Sequence, residues 1–433
     1  MQNSLRTIFH VDVNSAFLSW SALKRLQEDP GSVDLRTIPS AVGGDVKTRH
    51  GVITAKSIPA KKYGVRTGEP VVKALQKCPQ LITVPPDFET YRAYSHRLMD
   101  MLFALTPLVQ QVSIDEAYLD VTELVSPEDR EGAAALARSI RASVLAKLGF
   151  TVNVGISVNK LLAKMASDFE KPDRTHTLYP DEIQKKMWPL PIGELYGCGR
   201  ATAEKLRLVG IDTIGDAAQA DPAQLRSLLG PKAGMYISRS ANGIGSTNVT
   251  PEREKAKSIS NERTLSEDVN RDNYETNGIP VIRWLVQKVS DRMKKAGVAA
   301  QTVTLQVKSA DFQRYSRQSS LPEATDSPAV LEDACLQLAE RLLTGTEGLF
   351  SDGVPVRLIG VGVSRLSEKK MHQMDLFEWA DQQQTEDEQA AAEAERRKRQ
   401  EKENLLSSML QQVNERYGEG TLIRGNPHIS DPK

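Results

Sequence analysis

Three carboxylates interrupt segments that otherwise read as buried strand. Asp12 falls near the end of Phe9-His10-Val11-Asp12-Val13, where apolar and polar residues alternate with the period of a strand. Asp115 and Glu116 sit between two apolar runs, Val109 to Ile114 and Ala117 to Val121. Carboxylates gathered at one sheet edge repel each other and are costly to strip of water. A divalent cation held by oxygens removes that cost, and Mg²⁺ favours one or two carboxylates plus substrate phosphates. Two such ions roughly 3.5–4 Å apart can activate an attacking hydroxyl and stabilise a leaving oxygen in phosphoryl transfer. Taken singly, each acid also fits an ordinary surface turn, and spacing alone leaves both readings open.

The pattern around these acids is mixed. A helix is expected from Ser15, a possible cap, through Phe17, Trp20 and Leu23, and another over Ala133 to Leu148, closed by Gly149. Thr151 to Ser157 alternates as a strand, and Lys160 to Glu170 reads as a helix ending before Pro172. Strands and helices intermingled in this way indicate an α+β sheet domain. Residues 189–248 are helical in pattern and rich in glycine. From Lys257 to Val363 the order is β-α-β-β-α-β, a compact supersecondary unit. Beyond Lys370 the strand signals stop, and a Glu-, Arg- and Gln-rich stretch leads into Leu405, Leu406, Met409, Leu410 and Val413 at helical spacing.

Charge is informative once it is divided along the chain. The formal net charge is zero, with 56 basic and 56 acidic residues. Residues 1–80 hold 12 basic and 6 acidic residues, whereas residues 372–433 hold 8 and 13. A body with a modest positive surplus is thus cancelled by an acidic tail, and an anionic partner is compatible with the first part. Cys78, Cys198 and Cys335 stand far apart with no CxxC pair, which argues against a zinc site or a disulfide framework and suits a reducing cytoplasmic setting. No run of about 18 apolar residues is present, so no membrane-spanning helix is expected.

Ser113-Ile114-Asp115-Glu116-Ala117-Tyr118-Leu119-Asp120 resembles the palm signature of the Y-family DNA polymerases, the translesion enzymes. His10-Val11-Asp12-Val13-Asn14-Ser15-Ala16-Phe17 resembles the first palm motif of that family, and Val154 to Lys164 a third. The resemblance runs from about residue 7 to residue 365. It implies a multidomain right-hand polymerase: palm over 1–24 and 84–176, small fingers over 25–83, a helical thumb over 177–246, a little finger over 247–370, and a tail over 371–433. It also implies Mg²⁺-dependent transfer of a nucleotide from a dNTP to a primer 3′-hydroxyl on template DNA, by a monomer without a proofreading exonuclease.

The same resemblance assigns roles. Asp12, Asp115 and Glu116, with the carbonyl of Val13, would hold two Mg²⁺ ions. Phe17, five residues after Asp12, matches the aromatic steric gate against ribonucleotides; without the motif it reads first as a core aromatic of an amphipathic helix. Thr54 to Val65 is similar to the fingers motif, but Ile58 stands where the family has Tyr and Lys61 where it has Arg. Lysine supplies charge without a bidentate fork, so Ser57 or Lys56 is expected to compensate. Lys171 in Glu170-Lys171-Pro172 matches a lysine near the triphosphate. Leu195 to Leu206 resembles a helix-hairpin-helix, with Gly197, Gly199 and Arg200 placed to meet DNA phosphate. Basic residues from Lys255 to Arg317 enrich the first half of the little finger. Gln373-Met374-Asp375-Leu376-Phe377 resembles the pentapeptide that docks on the bacterial sliding clamp.

Overall fold

The computed structural model describes residues 5–45, 51–252 and 255–368. The pentapeptide Gln373–Phe377 and the acidic tail lie outside the described residues. Among the described residues, 5–293 and 300–366 belong to one unit, and 294–299 with 367–368 to another.

Strand β1 (Ile8–Val13) is buried along its whole length. Its odd residues Phe9, Val11 and Val13 enter an aromatic core with Trp20, Tyr91 and Tyr94, while its even residues His10 and Asp12 point to the opposite face. The helix Ala16–Glu28 follows. Ser15 adopts a left-handed conformation (φ 48°) and its side chain does not cap that helix, contrary to the expectation from sequence. A small sheet of order β3-β2-β4 comes next, from β2 (Ser40–Gly43), β3 (Ile53–Lys56) and β4 (Ile82–Val84). Its core is Ala41, Ile53, Ala60, Val65 and Val71. No strands are expected there from the residue pattern, which is too short in each segment to alternate.

The main sheet is completed by β5 (Val109–Gln111), β6 (Glu116–Asp120), β7 (Val152–Ser157) and the short β8 (Thr175–Thr177), in the order β5-β6-β1-β7-β8. Helices Phe88–Phe103 and Arg130–Leu148 cover the odd face of β1. The second begins with Asp129 capping the Gly132 amide and ends at Gly149 in the left-handed region (φ 79°). Helix Lys160–Asp168 covers the even face. It comes close because β7 carries Gly155 opposite His10: a Cβ there would lie 2.0 Å from the Ala163 carbonyl oxygen and 2.4 Å from the Ser167 nitrogen.

Residues 180–241 are helical, as the pattern indicates, around Leu162, Met187, Leu206, Ile214 and Leu225. The last sheet holds β9 (Ser258–Val269), β10 (Val298–Ser309), β11 (Arg314–Thr325) and β12 (Val356–Glu368), ordered β11-β10-β12-β9. With helices Ile279–Ala296 and Pro328–Ala339 this is the β-α-β-β-α-β order read from sequence. The open face of the sheet bears Ser260, Glu262, Gly360, Gln306 and Ser316 together with the cations Lys308 and Arg314, of which Arg314 pairs with Glu262 at 3.8 Å. Several of the counted cations belong to the opposite, helix-bearing side: Arg263 lies over the Trp284 ring, Arg283 pairs with Glu332, and Arg292 donates to the Ser260 carbonyl.

Candidate active site

The antiparallel register of β1 and β6 sets Asp12 opposite Glu116. The Val13 amide donates to the Asp115 carbonyl at 3.1 Å, so the turn leading into β6 is tied to the end of β1. Lys164, from the helix on the even face, bridges the two acids: its Nζ is 3.2 Å from Asp12 Oδ2 and 2.8 Å from Glu116 Oε1. Lys171 reaches Asp12 Oδ1 at 2.7 Å and Asp168 Oδ1 at 2.9 Å.

The charges are interdependent. Burial favours the protonated form of Asp12, but Lys171, a hydrogen bond with Glu116 and Lys164 outweigh it and hold its pKa below the ordinary value. Burial, the hydrogen-bonding contact with Asp12 and its negative charge push Glu116 upward, against the pull of Lys164. Burial would depress both lysines, yet the surrounding carboxylates leave each above its ordinary pKa. The Asp115 carboxylate accepts the Ser113 hydroxyl at 2.6 Å. Among the described residues no three potential metal-binding side chains stand close enough to hold an ion as they are. Of the three carboxylates singled out in the sequence, the structure therefore brings Asp12 and Glu116 together, with Asp115 adjacent through its backbone. The donors remain all oxygen and are carried on neighbouring strand ends, a set that suits a hard cation such as Mg²⁺.

His10 was not singled out by its sequence context, although a polar residue in an alternating strand is a signal of a kind. It is fully buried beside Tyr118. Ser167 donates its hydroxyl to the Lys164 carbonyl, so the His10 Nδ1–H donates to Ser167 Oγ at 2.8 Å. Nε2 is then a bare lone pair without a hydrogen-bond partner, 3.9 Å from Glu116 Oε2. Burial and Lys164 lower the His10 pKa to about 3, so the ring is neutral.

A buried amide pair anchors the loop that carries Lys171. Asn14 Nδ2 donates to Asn153 Oδ1 at 3.1 Å, and the Asp173 amide donates to Asn14 Oδ1 at 2.9 Å. Asn153 Nδ2 donates in turn to the carbonyls of Ser167 and Glu170. Asn153, fully buried within Val152-Asn153-Val154, could have been found as a polar residue at a core position of a strand.

Next to this loop is a cleft of about 440 Å³ between the helix Ala16–Glu28, β3 and the 171–172 loop. Lys56, Ile58, Lys61, Lys171 and Arg36 line it, so it is strongly cationic. Burial and the charge of Lys61 lower the Lys56 pKa. Ser57 also borders the cleft, but its hydroxyl is committed: it donates to the Ile38 carbonyl and accepts from the Ala60 and Ser40 amides. Arg36, overlooked in the sequence, is braced by Asp34 and by the Gly149 carbonyl at 2.7 Å. Phe17 is part-buried on the helix Ala16–Glu28 and stacks on Tyr91.

At the helical segment, Gly197 has φ 84° and faces Tyr236, whose hydroxyl would lie 2.4 Å from any Cβ placed there. Gly199 precedes the helix Arg200–Arg207, which has no side-chain cap, and a Cβ at Gly199 would meet open space. Arg200 is exposed and pairs with Glu204.

Known proteins resemble this chain along its length. The impB/mucB/samB family model matches residues 11–168, the C-terminal domain of that family residues 256–376, and the HHH motif of the family residues 180–211. DNA polymerase IV of Clostridium acetobutylicum is 37% identical over 97% of this chain and 97% of its own. DNA polymerase IV 1 of Bacillus subtilis is 35% identical over 98% of this chain and 94% of its own. Among solved structures, a Y-family DNA polymerase chimera of Dbh and Dpo4 superposes with a TM-score of 0.69 at 26% identity, covering 83% of this chain and 99% of the chimera. The fold, with a five-stranded carboxylate-bearing sheet and a β-α-β-β-α-β unit, agrees with these relatives. No described helix is long and apolar enough to cross a membrane. The chain belongs to the impB/mucB/samB family of Y-family DNA polymerases and is a DNA-directed DNA polymerase, similar to bacterial DNA polymerase IV.

Proposed function

We propose that the protein carries out low-fidelity translesion synthesis by nucleotidyl transfer at the Asp12–Glu116 strand pair. The observation that carries the reading is the meeting of that pair with Lys171 at the mouth of a cationic cleft. The primer 3′-hydroxyl attacks the dNTP α-phosphorus, and pyrophosphate leaves. Asp12, Asp115 and Glu116, with the Val13 carbonyl, would hold two Mg²⁺ ions, which when bound supply Lewis-acid activation of the hydroxyl and charge neutralisation at the triphosphate. Lys61 and Lys171 attract and orient the triphosphate, with Lys56 and Arg36 adding to the field of the cleft. Ile58 and Lys61 give a looser grip than a Tyr and Arg pair. Phe17 lies under the sugar and excludes a 2′-hydroxyl.

Gly197, Gly199 and Arg200 present backbone amides and a helix N-terminus to a DNA phosphate, independent of sequence. The open face of the last sheet follows the duplex backbone, with Lys308 and Arg314 as its cations beside hydroxyls and main-chain groups. Gln373, Met374, Asp375, Leu376 and Phe377 tether the enzyme to the sliding clamp, with Leu376 and Phe377 as apolar anchors. The enzyme works as a monomer in the cytoplasm and lacks proofreading. Primer extension with Mg²⁺ and dNTPs on intact and abasic templates tests the reading. Asp115→Ala or Glu116→Ala should abolish incorporation while DNA binding by gel shift persists; full activity in either would sink the assignment.

A further inference from the structure

The ring of Phe17 is backed across one whole face. Tyr91, on the helix Phe88–Phe103, stacks on it with 4.6 Å between centroids and 10° between planes. Phe88 meets the same ring edge-on at 6.0 Å and 81°. Tyr91 is fully buried and cannot retreat: its hydroxyl is hydrogen-bonded to Ser21 Oγ at 2.8 Å, and its ring abuts Trp20 at 6.0 Å. Trp20 in turn packs on Tyr94 and Phe150. A column of rings thus runs from the core of the main sheet to Phe17, which keeps an exposed portion beside the exposed Phe88.

Steric selection against one hydroxyl works only if the blocking ring cannot yield. A phenylalanine free to change rotamer would swing away into another staggered well, and selection would be correspondingly weak. The parallel stack removes the space into which Phe17 would swing. We propose that Tyr91 is a positioning residue for sugar selection, holding Phe17 rigid against the 2′-hydroxyl of an incoming ribonucleotide. This rests on the reading of Phe17 as the steric gate.

The test compares kcat/KM for a dNTP and the matching rNTP on one primer-template in the full chain, for wild type, Phe17→Ala, Tyr91→Leu, Tyr91→Phe and the Phe17→Ala/Tyr91→Leu double variant. Tyr91→Leu should lower the dNTP:rNTP ratio about tenfold, the scale of a lost steric contact. Tyr91→Phe, which keeps the ring face, should retain the wild-type ratio. The double variant should be no less selective than Phe17→Ala alone, because both changes remove one device. A purely structural role for Tyr91 would slow both nucleotides alike and leave the ratio unmoved, and that result overturns the proposal. Should Tyr91→Leu fail to fold, Tyr91→Met keeps apolar bulk without a rigid plane and is read by the same ratio. If Phe17→Ala itself leaves the ratio unchanged, the gate reading falls and the proposal with it; relaxation by Phe17→Ala but not by the Tyr91 variants removes the proposal alone.

Discussion

Asp12 and Lys171 are 159 residues apart in the chain and 2.7 Å apart in space. The contact joins the end of the first strand to a loop held by Asn14 and Asn153, so the carboxylate and the cleft are positioned by one network. Lys171→Ala should raise the dNTP KM by about 10-fold or more, the scale of a charge-assisted hydrogen bond. Single-nucleotide incorporation kinetics check this, and an unchanged KM would remove Lys171 from the nucleotide site.

Lys164 neutralises Asp12 and Glu116 from a largely buried position. Lys164→Met should destabilise the protein by about 3–5 kcal/mol, because two carboxylates lose their compensating charge. Added Mg²⁺ should restore part of that loss in the variant. In the wild type, by contrast, chelation of divalent ions should stop synthesis and barely move Tm, since the lysines already balance the site. Thermal denaturation with and without EDTA distinguishes these outcomes.

His10 is neutral in the fold, with a pKa near 3 against an ordinary value of 6.5. A depressed pKa means that the unfolded chain binds the proton more readily. The stability that His10 contributes is therefore complete above about pH 6.5 and declines as pH falls towards 3. His10→Gln should flatten that part of the stability–pH curve relative to wild type. Denaturant titrations at pH 7 and pH 5 measure the difference, and parallel curves for the two proteins would contradict it.

Gly155→Ala should be among the most damaging small substitutions in the main sheet. The new methyl would meet the backbone of the helix Lys160–Asp168, which cannot yield as a side-chain tip can. A loss of about 1–3 kcal/mol is expected from overpacking. The displaced helix carries Lys164, so incorporation should fall together with Tm.

Deleting Gln373–Phe377 should leave distributive primer extension intact and abolish its stimulation by a sliding clamp. Processivity assays with and without the clamp check this; stimulation that survives the deletion excludes the pentapeptide.

Much of this arrangement could be read from the chain. The strand ending at Asp12, the hairpin around Asp115-Glu116 and the β-α-β-β-α-β order all carry strong periodicity, and the structure has them within a few residues. Less visible were features that depend on partners distant in sequence. Nothing local to Lys164 says that it will bridge two strands, and nothing at Asn14 predicts a bond to Asn153. Ser57 is expected from its place in the fingers motif to compensate for Ile58 and Lys61, yet its hydroxyl is consumed in capping Ile58–Lys62 and in a bond to the Ile38 carbonyl. The charge count of residues 255–317 gave no direction, and several of those cations lie on the helix side of their sheet. The three-stranded sheet of residues 40–84 escaped notice because its strands are only three or four residues long.

The pairing of Asp12 with Glu116 is a matter of the β1–β6 register, whereas the turn in which the amides of Val112 and Ser113 both donate to the Glu116 carbonyl closes the β5–β6 hairpin. A slip of β1 against β6 by one residue would bring a neighbour of Glu116 opposite Asp12 and turn the acid to the aromatic face. Phe9, Val11 and Val13, by burying the odd face of β1, therefore fix the chemistry of this edge along with the core.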